Sequence, residues 1–187
     1  MKVVGLTGTI GAGKSLLKEM IMRKKNCYYV SLSTLIMEET LKKKRLPINI
    51  FNKQNMGNEL RQRYGNDVLA KTAWNFMQKN KDVLIIDGIR NPGEAEFLRR
   101  TNGRDFVLIG IDAPKEIRFD RVLKRNDAKD PKDPEEFAKI DDRDQGVNEP
   151  DYGQQVRKCI EMADYVLVND GSYEDFMKKC DEVIAKI

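Results

Sequence analysis

Near the start of the chain, Gly8-Thr9-Ile10-Gly11-Ala12-Gly13-Lys14-Ser15 fits the pattern GxxxxGKS. Glycines in such a run let the backbone bend so that successive N–H groups face one concavity, and a helix opening behind them adds its positive end. That arrangement cradles the phosphates of a nucleoside triphosphate. Lys14 then reaches the β- and γ-phosphates, the Ser15 hydroxyl ligates Mg²⁺, and Leu16 closes the nucleotide-binding stretch. A second run, Val83-Leu84-Ile85-Ile86-Asp87-Gly88-Ile89-Arg90, is an apolar strand ending in an acid. Asp-Gly after a strand is often only a turn. Beside a phosphate-binding loop, however, Asp87 is a candidate to hold Mg²⁺, because hard cations prefer carboxylate and water oxygens.

These groups need a rigid frame, and apolar runs supply one. Five parallel strands are expected near Lys2–Leu6, Cys27–Val30, Asp82–Asp87, Asp105–Asp112 and Tyr165–Val168. Helical stripes separate them, such as Leu16, Leu17, Met20 and Ile21 after the first strand. Alternating strands and helices predict an α/β fold with a five-stranded parallel sheet covered on both faces. Ser33–Asn80 is too long for one crossover and reads as two or three charged helices. The segment between Arg125 and Pro150 holds three of the six prolines, dense charge of both signs and few large apolar residues. It is expected to be either a disordered loop or a mobile cover that orders over a charged ligand. The resulting division is one domain, 1–187, with core 1–33, 80–126 and 150–187, an insertion at 34–79 and a lid at 127–149.

Composition narrows the chemistry further. The 187 residues suit a single buried core. No histidine occurs, so any mechanism needing a His base, nucleophile or metal ligand is excluded, and a bound metal would be oxygen-ligated. Cys27, Cys159 and Cys180 lack CxxC spacing and are expected to be buried or half-buried free thiols. Thirty-four basic against thirty acidic residues give a net charge of +4, which suits anionic small molecules and argues little for nucleic acid. No apolar run is long enough for a membrane helix and no leader is evident, so a cytoplasmic protein without a membrane partner is expected. The oligomeric state is not encoded in any pattern found.

The N-terminal loop, the Asp87-Gly88-Ile89-Arg90 strand end and the arginine-bearing lid together resemble the nucleoside monophosphate kinase and dephospho-CoA kinase group of P-loop kinases. Ile86–Leu98, IDGIRNPGEAEFL, is similar to adenylate-kinase-like and dephospho-CoA-kinase-like ATPases. The resemblance implies the P-loop nucleoside triphosphate hydrolase fold with a helical acceptor insertion and a lid, and ATP and Mg²⁺ as cofactors. It gives Arg90 the acceptor phosphate, Arg121 and Arg125 the transferring phosphoryl group, and Arg143 a place reached on lid closure. Asn169 and Gly171 resemble the loop that touches adenine. Two positions depart from the adenylate-type pattern, where Thr34 and Met37 replace an Asp and an Arg. Arg61 or Arg63 is the expected substitute clamp, or else the acceptor differs. No Asp occurs between residues 1 and 66, which weakens the dephospho-CoA reading.

The implied reaction is transfer of the γ-phosphoryl group to a small phosphorylated acceptor, a nucleoside or deoxynucleoside monophosphate before dephospho-CoA. A GTPase switch is disfavoured, because Asp87-Gly88-Ile89-Arg90 lacks the glycine of DxxG and Asn52-Lys53-Gln54-Asn55 lacks the aspartate of NKxD. An ATPase stimulated by RNA or a protein rests only on Lys42-Lys43-Lys44-Arg45, which also suits a solvated helix end.

Overall fold

The computed structural model describes residues 1–128 and 130–187. Its strands are β1 (Lys2–Gly8), β2 (Cys27–Ser31), β3 (Val83–Asp87), β4 (Phe106–Asp112) and β5 (Tyr165–Val168). They form one sheet in the order β2-β3-β1-β4-β5, with every pair parallel. The expected strands agree with these to within two residues at each end. Helices α1 (Lys14–Lys24), α5 (Pro92–Asn102), α6 (Lys115–Arg125), α8 (Val156–Glu161) and α9 (Tyr173–Ile184) make the crossovers and the C-terminal cover. The insertion folds as a π-helical turn (Ser33–Glu38) running into α2 (Glu39–Lys43), followed by α3 (Ile50–Tyr64) and α4 (Val68–Phe76).

Period-two alternation in β1 divides the core. Val3 packs with Leu84, Ile86 and Leu108 beneath the insertion helices, while Val4 and Leu6 pack with Ile85, Ile109 and Ile111 against α1 and α9. Burial on both faces accounts for the near-continuous apolar strands. The three cysteines are free thiols, two of them buried and Cys27 half-buried. Among the described residues, no helix is long and apolar enough to cross a membrane.

The region between Arg125 and Pro150 departs from expectation. It contains a regular helix, α7 (Pro134–Gln145), docked on the body of the protein. Asp133 caps it by accepting from the Glu135 and Glu136 amides, Pro134 occupies the first turn, and Gly146 ends it with φ 99°. These are ordinary helix boundary signals, and the charge and proline content of the segment obscures them. Its few apolar residues suffice because they are well placed. Phe137 and Ile140 are buried with Ile10 of the loop and Val122 of α6 in a small third cluster.

Beside that cluster lies an ion pair with almost no access to water, Arg118 on α6 with Asp141 on α7. Arg118 Nη2 donates to Asp141 Oδ2 at 2.9 Å, Nε donates to the Ala113 carbonyl at 2.9 Å and Nη1 to the Ile10 carbonyl at 3.2 Å. Removing one member leaves the other charged and buried. Arg118→Met should therefore cost about 3–5 kcal/mol of stability. Most of the loss should return in Arg118→Met combined with Asp141→Leu, where neither charge remains. Urea midpoints of the three proteins check this, and a double variant no more stable than the single one would contradict it.

Candidate functional site

Parallel register brings the chemistry to one edge of the sheet. Leu6 pairs with Asp87 and Gly8 with Ile111, so β1 runs into its loop between the carboxyl ends of β3 and β4. This is the edge where open α/β sheets bind ligands. Thr9 is fixed to β4 through its amide, 3.2 Å from the Ile111 carbonyl, and its hydroxyl, which donates to Asp112 Oδ1 at 2.8 Å. Burial alone would raise the Asp112 pKa, but donation from Arg157 and Thr9 outweighs it and holds the carboxyl below its usual range.

Gly13 lies in the left-handed region at φ 112°, and a Cβ there would stand 2.7 Å from the Asn169 side-chain nitrogen. Only glycine allows that approach. Asn169 uses it to donate to the Ala12 carbonyl at 2.8 Å, while its own oxygens accept from Arg121 at 3.0 and 3.1 Å. Helix α1 then begins with no side-chain cap at all. The Leu16 amide donates to the Gly13 carbonyl at 3.1 Å, while Lys14 and Ser15, whose amides have no side-chain cap, line a cavity of about 480 Å³.

That cavity is lined by Ile10, Gly11, Ala12, Gly13, Lys14 and Ser15 together with Asp87, Arg90, Arg121 and Arg125, as the sequence leads one to expect. Lys14 curls back over the loop, donating to the Gly8 carbonyl at 2.7 Å and the Thr9 carbonyl at 3.3 Å. Burial pushes its ammonium down to about 8, and the Arg90 guanidinium adds to the shift. Asp87 Oδ2 accepts from the Tyr29 hydroxyl at 3.1 Å. Asp87 Oδ1 is buried without a partner. An orphaned carboxylate oxygen and a serine hydroxyl from residues lining the same cavity are a donor set that fits Mg²⁺.

The arginines are less free than their sequence positions suggest. Arg90 donates through Nη1 to Asp144 at 2.6 Å, Arg125 pairs with Asp130 at 2.7 Å, and Arg121 holds Asn169. Asp144 occupies only one terminal nitrogen of Arg90. Seven expected residues do not line the cavity. Arg143 turns away from the cavity, donating to Glu149 at 2.8 Å and Asn55 at 2.6 Å. Arg61 is buried, with its Nε 2.8 Å from Glu94 Oε1. Asn169 braces the loop from behind, and Gly171 belongs to the turn before α9. Leu16 faces the core, and Gly8 and Thr9 anchor the loop to β4 without lining the cavity.

Met37, one of the two positions that depart from the adenylate-type pattern, also lines the cavity, as do residues that carried no site argument: Asp144 and Asp130, Ser33 and Lys53, and the amides Gln54 and Gln154. Asp144 was detectable, since Phe137, Ile140, Asp141 and Asp144 fall at helical spacing on one buried face. Tyr29 was not, because a tyrosine in a strand gives no sign of a carboxylate in the neighbouring strand.

Residues 4–145 match the family model described as AAA domain. The chain is 31% identical over its full length to a UPF0200 protein of Methanococcus maripaludis, covering 98% of that protein, and 32% identical to one of Methanocaldococcus jannaschii, covering 91%. This chain belongs to the AAA domain family and to the UPF0200 proteins. It spans 56% of a longer UPF0200/UPF0201 protein of Archaeoglobus fulgidus, at 33% identity. Among solved structures it is similar to a shikimate kinase from Bacteroides thetaiotaomicron, with TM-score 0.55, 14% identity and coverage of 97% of this chain and 95% of that one. It is also similar to a gluconokinase from Sinorhizobium meliloti, with TM-score 0.54, 10% identity and coverage of 99% and 92%. At these identities the likeness is one of fold, and it establishes the P-loop kinase fold for this UPF0200 protein.

The Lys14 environment has a measurable sign. A lysine whose folded pKa lies near 8, against an ordinary value of 10.5, carries its full burial penalty below pH 8 and sheds it as pH rises to 10.5. Lys14→Met should therefore be more stable than the native protein at pH 7, with the gap closing between pH 8 and 10.5. Melting temperatures of both proteins across that range test this, and a constant gap would be the contrary result.

Proposed function

We propose that this UPF0200 protein is a Mg²⁺- and ATP-dependent phosphotransferase acting on a small acceptor, in the first instance a nucleoside or deoxynucleoside monophosphate. One observation carries the reading: an uncapped helix N-terminus, Lys14 and Asp87, one of whose oxygens has no partner, belong to the lining of one cavity. A nucleotide-binding loop without catalysis would not need a buried carboxylate oxygen held ready at the next strand end.

The amides of Gly11–Ser15 bind the donor phosphates, and Lys14 swings from the Gly8 carbonyl to the β- and γ-phosphates. Ser15 and Asp87 are the residues that would hold Mg²⁺, which when bound would supply neutralisation of charge building on the phosphate oxygens. The donor's β–γ bridging bond breaks as the acceptor oxygen bonds to the γ-phosphorus in line. Arg121 and Arg125 line the region where equatorial charge develops. Arg90, whose Nη2 and Nε are not used by Asp144, is placed to grip an acceptor phosphate. Such an acceptor is already anionic and needs no strong base.

The reading as an ATPase stimulated by RNA or a protein is the weaker one. In the basic run, Lys42 pairs with Glu39 and Lys44 with Glu59, so part of its charge is spent locally.

A coupled nucleoside diphosphate assay with Mg-ATP against all ribo- and deoxynucleoside monophosphates, dephospho-CoA, gluconate and shikimate tests the proposal. Turnover with one acceptor is expected, and none across the panel would refute it. On the active acceptor, Lys14→Ala should lower kcat by a factor on the order of 10² to 10³. Arg90→Ala should raise the acceptor KM about tenfold and leave the ATP KM nearly unchanged.

A further inference from the structure

Two side-chain amides belong to the cavity lining, and each has an oxygen with no partner. Gln54, on α3, is 4% exposed and Gln154, just before α8, is 1% exposed. In both, the amide oxygen is buried and unbonded. Burying a polar atom without a partner is costly, so two such atoms on residues lining one cavity need an explanation.

The amides cannot relieve this by turning over. Gln54 Nε2 donates to the Ile140 carbonyl of α7 at 3.1 Å, and an oxygen in its place would face another oxygen. Gln154 Nε2 donates to Asn58 Oδ1 at 3.1 Å. Asn58 is fixed in turn, because its nitrogen donates to Glu149 Oε2 at 2.5 Å and a carboxylate can only accept. Glu149 is itself held by Arg143 at 2.8 Å. A chain of donors and acceptors thus starts at an ion pair and ends with the Gln154 oxygen in a fixed orientation.

The backbone makes room for this arrangement. A Cβ on Gly57, one turn along α3 from Gln54, would meet Gln154 Nε2 and Met37 Sδ at 3.2 Å each. Glycine there lets the Gln154 amide lie close against α3 beside Met37, which also lines the cavity.

We infer that Gln54 and Gln154 recognise the acceptor, and that the acceptor presents hydrogen-bond donors to them: an exocyclic amine of a nucleobase or hydroxyls of a sugar or polyol. This deepens the phosphotransferase reading and rests on it. Arg90 grips an anionic group, and the two amide oxygens read the uncharged part of the same molecule. They supply the selectivity that the departures at Thr34 and Met37 leave unassigned. A site with fixed, buried acceptors discriminates against an analogue lacking the donor, because the oxygen is then left dry and unpaired.

The test compares dissociation constants, with a non-hydrolysable ATP analogue and Mg²⁺ present, for matched compounds differing by one donor. The amine arm sets AMP against purine riboside monophosphate, and the sugar arm sets AMP against 2′,3′-dideoxy-AMP. A polyol arm sets gluconate against 2-deoxygluconate. In at least one arm the donor-bearing compound should bind tenfold or more tightly than its partner. Gln54→Met and Gln154→Met should each reduce that ratio below about threefold. Gln54→Glu, which keeps an acceptor oxygen but loses the bond to Ile140, should retain it, whereas a purely structural role would make both Gln54 variants alike. Affinity for the ATP analogue should stay within twofold throughout. Ratios near one in every arm, or ratios unchanged in both Met variants, overturn the inference while any observed turnover leaves the phosphotransferase reading standing. ATP-analogue binding with no affinity for any compound in the three arms overturns both.

Discussion

The bidentate pair between Arg118 and Asp141 ties three pieces of chain together, since Arg118 also donates to the carbonyl of Ile10 within the phosphate-binding loop. Loop, α6 and α7 are thereby fixed to one another in a place that water barely reaches. Such a pair gains little over apolar packing of the same shape, but it tolerates no partial separation, because either charge alone in that site is heavily penalised. Helix α7 is therefore part of the cavity wall. The swinging cover expected over 127–149 would have to break this pair, and would also have to part Arg90 from Asp144 one turn further along.

That constraint explains why the arginines of the site are paired. Five cations and four carboxylates among the described residues line one cavity of about 480 Å³. Unpaired, the cations would repel one another strongly in so confined a space. Asp144 and Asp130 compensate Arg90 and Arg125 without using all their nitrogens, so each guanidinium keeps donors to offer a phosphate oxygen. Lys14 has no such carboxylate in contact. It bonds two neutral carbonyls instead, and burial, with the Arg90 charge, holds its pKa below the ordinary value. The group proposed to reach the donor phosphates is thus one whose charge is disfavoured in their absence.

The sheet and the loop were legible in the sequence because both are local. Strand ends follow from apolar runs, and the phosphate-binding loop follows from glycine spacing between a strand and a helix. Asp87 was legible for the same reason, at the end of a strand whose neighbour could be guessed. Arg61 and Arg143 were not. A string of letters does not separate a guanidinium reaching into a cavity from one buried against a carboxylate far away in the chain, and Glu94 is 33 residues from Arg61. Helix α7 lies between these cases. Its cap, its first-turn proline and its terminal glycine are all local signals, but they sit within a stretch whose dense charge and proline content is that of a loop.

Glu94 ties Arg61 to the backbone that carries Arg90. One Glu94 oxygen accepts from Arg61 Nε, and the other accepts from the backbone amides of Arg90 at 2.8 Å and Asn91 at 3.2 Å. Asn91 completes the capping box of α5, and its side-chain nitrogen reaches the carbonyls of Asp151 and Gly153. The Gln155 amide closes the circuit on the Arg90 carbonyl at 2.6 Å. Arg90 is thus clamped at both its amide and its carbonyl, and the segment that clamps it also carries Gln154. The cation proposed to hold the acceptor's charge and the amide proposed to read its donors are set by one piece of backbone. Their separation is then a property of the fold, and it fixes the distance between anion and donor that an acceptor must present.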